Sequence, residues 1–106
     1  MEQKKVYLLY EGDQWLSTGS LVLMGIFTDI DTLRINSREL IRERAKSHLN
    51  DAVGMGYDFG DCKTKDEKKE VVVDDILLEL MSRASTCSWS TNYSYIEATL
   101  NSLGEL

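Results

Sequence analysis

The chain has 106 residues, 42% hydrophobic and 28% charged, with no proline and a net charge of −6. That length suits one domain over 1–106 and is too short for a substrate domain joined to a cofactor domain. The balanced composition excludes a collagen-like or wholly disordered chain, and eighteen acids against twelve bases argue against direct nucleic-acid binding, which needs clustered Lys and Arg.

Met1-Glu2-Gln3-Lys4-Lys5 carries no signal-peptide pattern and leads into Val6-Tyr7-Leu8-Leu9-Tyr10, a strand apolar on both faces. Glu11 to Ser20 holds two glycines and the cluster Ser17-Thr18-Gly19-Ser20, which marks a loop longer than a tight hairpin needs. Leu21 to Phe27 is the second strand. It is also the longest apolar run, far below the roughly 20 residues of a membrane span, so a cytoplasmic protein is expected. Thr28 with Asp31, or Asn36 with Glu39, signals a helix start, and Leu33, Leu40, Ile41, Ala45 and Leu49 share one side of a helix reaching about Leu49. The pattern falters at Ile35 to Ser37, which allows a short first turn and a separate helix.

Asp51 to Glu70 reads as a long mobile connection, with Gly54, Gly56 and Gly60 followed by the charged run Lys63 to Glu70. Val73, Ile76, Leu77, Leu80, Met81 and Ala84 then recur at helical spacing. Ser85 to Asn92 ends that second helix. Tyr93 to Leu100 alternates as a third, half-buried strand, with Ile96, Ala98 and Leu100 read as the inner face and Tyr93 and Tyr95 as the outer.

The elements read β-β-α-α-β, an α+β fold with two helices on one face of a three-stranded sheet. An apolar first strand belongs at the centre, giving order 2-1-3. If every element reverses the last, the third strand runs parallel to the first. The same count puts the Trp15 loop and the glycine-rich loop at one end of the sheet, and Trp89 at the other.

The phrases Val6-Tyr7-Leu8-Leu9-Tyr10, Leu23-Met24-Gly25-Ile26-Phe27-Thr28-Asp29 and Tyr95-Ile96-Glu97-Ala98-Thr99-Leu100-Asn101 resemble those of small uncharacterised β-β-α-β proteins. In those, a Gly-Ile-Phe-Ser/Thr strand feeds a helix, and the last strand carries a Tyr-x-Ile-Glu-like phrase. The resemblance implies the topology and no activity. It covers about a quarter of the chain, and 51–70 departs from it.

Chemistry-bearing patterns are few. Gly54-x-Gly56-x-x-x-Gly60 follows a helix, whereas a phosphate-cradling loop follows a strand and opens a helix. Asp58, Asp61, Asp66 and Glu67 lack the alternation of a calcium loop. Cys62, Cys87 and the single histidine, His48, cannot assemble a four-ligand zinc site, and reduced thiols are expected. Cys87 is the best-placed nucleophile, yet the layout sets His48 at the opposite end of the sheet, so a small buried thiol is expected there. No cofactor, metal or catalytic residue is expected.

Binding surfaces are better represented. Arg34, Arg38, Arg42 and Lys46 form a basic ridge that could grip an acidic partner. The plainer account is a solvated face with Glu39–Arg42 and Glu43–Lys46 pairs. From Val71 to Leu106 one base, Arg83, stands against Asp74, Asp75, Glu79, Glu97 and Glu105. Trp15 and Trp89 lie in Ser/Thr/Gly-rich loops, where tryptophan serves either as a binding anchor or as the cap of a core. Together with Tyr93 and Tyr95 they suggest a partner-binding surface.

The expected function is a non-catalytic protein–protein interaction module that self-associates through an open sheet face. An alternative is an acidic inhibitor of phage or mobile-element type, blocking the basic site of a nucleic-acid-handling enzyme. It requires Asp74, Glu79 and the loop acids on one continuous surface. A third is a nucleotide-sequestering protein with a pocket between Trp15 and the glycine-rich loop.

Overall fold

The computed structural model describes residues 4–100, the side chain of Leu100 excepted. Asn101 of the final-strand phrase and the acid Glu105 lie outside it. In chain order the elements are β1 (Lys4–Gly12), β2 (Val22–Phe27), α1 (Ile30–Glu43), α2 (Ala45–Gly54), α3 (Lys65–Arg83) and β3 (Asn92–Leu100). The sheet order is β2-β1-β3, with the apolar first strand at the centre, so the fold is α+β with three helices rather than two.

Both strand pairs are antiparallel, including β1 with β3, where element counting predicts a parallel pair. The reason lies between α3 and β3. Ala84 caps α3 in the left-handed region (φ 63°), its N–H donating to the Leu80 carbonyl at 2.8 Å. The next residues pair back onto β3: Thr86 N donates to Tyr93 O and Tyr95 N to Ala84 O, each at 2.9 Å. This short hairpin adds a reversal that no apolar periodicity announces. An L-residue in that region carries about 1–2 kcal/mol of strain. Ala84→Gly is therefore expected to raise stability by about 0.5–1 kcal/mol, once the higher chain entropy of glycine is offset. Urea denaturation checks it.

The first helical segment breaks at Arg44 (φ −101°, ψ 11°), not at Ile35 to Ser37. There the backbone tightens, Arg44 N donating to Ile41 O, and the guanidinium reaches Glu11 on β1 at 3.1 and 3.3 Å. The N-cap of α1 is Asp29, which accepts from both Thr32 N and Thr32 Oγ1 at 2.8 Å. The irregular connection is half the expected length. Asp51 to Gly54 complete α2, and Lys65 to Glu70 are the first turns of α3. Thr64 caps that helix by accepting from Glu67 N at 3.1 Å, while the Glu67 carboxylate receives Lys63 N. Thr64-x-x-Glu67 has the sequence of a capping box, with the carboxylate reaching the residue before the cap, a signal masked by the density of charge around it.

The core gathers Leu33, Leu40 and Ile41 of α1, Ala45, Leu49 and Ala52 of α2, and Val72, Val73, Ile76, Leu77 and Leu80 of α3. The sheet contributes Leu9 and Tyr93. Each large side chain so buried stabilises the fold by about 1.5–3 kcal/mol. The alternation expected of β3 is present with its faces exchanged. Tyr93 is fully buried and Tyr95 packs edge-on against Tyr7 on the helix side, while Ile96 is exposed. Burying Tyr93 removes more apolar area from water than burying an aliphatic neighbour, and its hydroxyl finds a partner inside.

Candidate interaction surfaces

The basic ridge of α1 is met by acids. Arg38 lies 2.7 Å from Asp74 and 3.3 Å from Glu70. Arg42 bridges Glu70 at 3.1 Å and Glu39 at 3.2 Å, and Arg34 pairs with Asp31 at 3.3 Å. The Arg42 hydrogen bond holds the Glu70 carboxyl below its usual range. Basic first helix and acidic C-terminal third thus engage each other, through solvent-exposed pairs of the kind that contribute about 1 kcal/mol or less. Of the two helical pairs expected, Glu39–Arg42 forms, whereas Glu43 turns to Arg44 at 3.8 Å. Lys46 lines an open groove of about 520 Å³ with Arg42, Glu43, Asp66, Lys69 and Glu70, where three cations balance three carboxylates. A smaller groove, about 250 Å³, lies between β2 and α1 and is lined by Met24, Phe27, Asn36 and Glu39 among others.

Trp15 and Trp89 separate cleanly. Trp15 is 78% exposed in the β1–β2 loop. The loop beneath it is tightly organised: the Asp13 carboxylate accepts from Trp15 N, Ser17 N and Ser17 Oγ, and Leu16 takes a positive φ of 51°. Trp89 is buried, its ring edge-on to His48 at 5.6 Å and tilted against Tyr57 at 6.0 Å. It caps the core.

The two loops also share one end of the sheet, where element counting sets them apart. Because β3 begins opposite Gly12, Asn92 reaches the β1–β2 loop, its amide donating to Gln14 O at 3.0 Å and Asp13 O at 3.4 Å. The same residue is the hub of the 84–92 hairpin. Its Oδ1 accepts from Thr86 Oγ1 at 2.9 Å and Trp89 N at 3.3 Å, and its amide donates to Trp89 O at 2.8 Å. Nothing in the Ser/Thr/Asn-rich sequence distinguishes it from a solvent-facing turn residue. Ser90 closes the corner from outside, bonding Asp51 of α2 through N and Oγ at 3.0 and 2.9 Å. The glycine-rich loop meets it as well through the Tyr57 ring against Trp89, while the Tyr57 hydroxyl donates to Asp75 of α3. Burial, first, and that carboxylate push the Tyr57 hydroxyl up to about 12. Gly56 and Gly60 occupy the left-handed region, which suits glycine.

His48 and Cys87 exchange their expected environments. His48 is fully buried beside Trp89, with Nε2 2.7 Å from the Tyr93 hydroxyl, and therefore sits at the Cys87 end of the fold. Cys87 is exposed, because its backbone N–H donates outward to Glu79 at 3.2 Å and the turn carries its side chain to solvent. Both cysteines are free thiols, with Cys62 half-buried. The nearest polar side-chain atom bonded to the Cys87 sulfur is Ser88 Oγ at 3.8 Å, which is no base. Among the described residues, no three His, Cys, Asp or Glu side chains gather to hold a metal ion.

Among the described residues no helix covers the other face of the sheet, and its register aligns apolar side chains in cross-strand rows. Leu23, Tyr10 and Ser94 form one cross-strand row. Ile26, Leu8 and Ile96 form the next, followed by Val6 with Ala98. Ile26 is 59% and Ile96 50% exposed, Leu23 is also exposed, and Val6 is buried. A bulge at Leu9/Tyr10 leaves Met24 as the extra residue and keeps this alternation in phase. Glu97 lies on the other face, opposite Tyr7, so these rows carry no carboxylate. Apart from Tyr10 and Ser94 the residues involved are aliphatic, with nothing in the sequence to distinguish them from ordinary strand residues. No described helix is long and apolar enough to cross a membrane. No family model matches the chain, and no curated protein or solved structure is significantly similar to it.

Proposed function

We propose that this protein is a non-catalytic interaction module that pairs with a second copy of itself through the open face of its sheet. The observation that carries the reading is the Ile26–Leu8–Ile96 row, flanked by Leu23 and Tyr10, with both isoleucines exposed and the described helices all on the other side of the sheet. Contiguous apolar surface of this kind, in register and without carboxylates, marks sites of association. Charge limits where a second copy could approach. Two chains of net charge −6 repel over most of their surfaces, and a face without carboxylates is where they approach at least cost. A two-fold axis through that face would bring the same rows together from both sides. Trp15, exposed beyond the Leu23–Tyr10 end, is the aromatic candidate for its margin.

The acidic-inhibitor reading lacks comparable support. Asp74 and Glu79 are five residues apart on α3, about 140° around the helix. Asp74 is engaged by Arg38 and Glu79 by Cys87 N. For nucleotide sequestration, the two grooves described above are lined by neither Trp15 nor Gly54, Gly56 or Gly60.

Replacing Ile26 and Ile96 with lysine tests the proposal. Both side chains are exposed in the single chain, so stability should change by no more than about 1 kcal/mol. In sedimentation velocity the wild type is expected as a dimer and the double variant as a monomer with unchanged circular dichroism. Equal sedimentation of the two would remove the sheet face from the account.

A further inference from the structure

We propose that His48 is an acid-sensitive latch: protonation of its ring by solvent releases Trp89 and the start of β3 from the core. This inference is independent of how copies associate. It rests on what surrounds the ring. His48, the chain's one histidine, is fully buried on α2. Its Nε2 is held by the Tyr93 hydroxyl of β3 at 2.7 Å, and its Nδ1 has no hydrogen-bond partner. The Trp89 ring stands edge-on to it at 5.6 Å.

A neutral ring keeps this contact in either tautomer: with the proton on Nδ1 its Nε2 accepts from the Tyr93 O–H, and with the proton on Nε2 it donates to the Tyr93 oxygen. A protonated ring carries an N–H at both nitrogens: Nε2 can no longer accept from the Tyr93 hydroxyl, and the Nδ1 N–H has no partner. The charged groups around it come from three elements. Glu11 of β1 is bound at both oxygens by Arg44, at the α1–α2 junction. Asp51 of α2 is bound at both oxygens by Ser90. Arg44 itself repels a ring cation. From α3 the buried side chains, Val72, Val73, Ile76, Leu77 and Leu80, are all apolar and offer no acceptor. Burial, first, then Arg44 hold the His48 ring below its ordinary value of 6.5, against the opposing pull of Asp51 and Glu11.

The linkage has a definite sign. A histidine with a depressed folded-state value binds its proton more readily when released. The buried arrangement is therefore fully favoured above the ordinary value and loses ground as pH falls below it. The parts that must yield are those that touch the ring. Tyr93 and Trp89 lie in the segment tied to the rest by the Asn92 hub and by Ser90–Asp51, so release there leaves α1, α3 and the β1–β2 pair in place.

The test uses the full chain, free of any histidine tag, with Trp15→Phe so that Trp89 is the remaining tryptophan. Fluorescence and the single imidazole resonance in proton NMR are followed from about pH 8 to 5. The expected result is one reversible red shift of Trp89 emission below the ordinary histidine value. Its midpoint coincides with the ring titration, while far-UV circular dichroism is retained. His48→Gln, which keeps an amide to meet Tyr93, is expected to lose the step. The inference is overturned if His48 titrates while Trp89 emission stays fixed, if the two midpoints differ, or if helix is lost in the same step. A His48→Gln chain that folds and still shows the step overturns it too. If that variant does not fold, the paired midpoints in the Trp15→Phe chain decide.

Discussion

Asn92→Ala is expected to cost about 3 kcal/mol, because it orphans a buried cluster rather than removing one contact. Five hydrogen bonds converge on this fully buried amide: from Thr86 Oγ1 and Trp89 N to its oxygen, and from its nitrogen to the Asp13, Gln14 and Trp89 carbonyls. A methyl group leaves Thr86 Oγ1 and Trp89 N without an acceptor in a space that admits no ready replacement. Asn92→Asp separates the two halves of the effect. It keeps the acceptor, loses the donor and sets a carboxylate against three carbonyl oxygens, so it should destabilise at least as much at neutral pH. Urea midpoints measure both, with an unchanged slope showing that the native fold is retained. A cost below about 1 kcal/mol for either variant would mean that water replaces the amide, and that the hairpin is held elsewhere.

The two tryptophans should differ by an order of magnitude. Trp89→Ala empties a site closed by His48 and Tyr57, and is expected to cost about 3–5 kcal/mol, as for other large-to-small core substitutions. For a domain of this size that is a large share of a total near 5–15 kcal/mol, and partial unfolding at room temperature is a consistent outcome. Trp15→Ala removes a side chain 78% exposed and should stay within about 0.5 kcal/mol. Thermal melts of the two variants compare them directly. Equal losses would mean that the β1–β2 loop carries core function through Trp15, contrary to its exposure.

Much of the architecture is legible in the residues. Val6 to Tyr10 declares a central strand by being apolar on both faces, and the β2-β1-β3 order follows from it. The spacing of Val73, Ile76, Leu77 and Leu80 declares a buried helix face. What is illegible has physical causes. The reversal at Ala84 needs a left-handed alanine, which no residue preference announces, and it alone inverts β3 and moves Trp89 to the far end of the sheet. The helix start at Lys65 is written in Thr64-x-x-Glu67 but hidden among charges that suit a solvated loop equally well. The faces of β3 are exchanged because alternation gives period and not sign. The sign came from a partner, His48, forty-five positions away from Tyr93.

The candidate surfaces follow the same division. Arg34, Arg38 and Arg42 read as a free ridge until α3 folds against them, since helix packing and not spacing decides which acids arrive. Trp15 stays exposed, while Trp89 and Tyr93 pass to the interior and Tyr95 packs half-buried on the helix side. The surface that replaces them, Leu8, Leu23, Ile26 and Ile96, consists of ordinary strand residues. It stands out once the described helices are seen to occupy one face of the sheet.

Size-exclusion chromatography with light scattering on the wild-type chain, across a range of concentrations, addresses that surface most directly. Pairing through the open sheet face predicts a particle of twice the chain mass, falling to the single-chain mass on dilution or when Ile26 and Ile96 become lysine. A wild-type chain that remains at single-chain mass up to about 100 μM, where pairing would be worth less than about 5.5 kcal/mol, would contradict it.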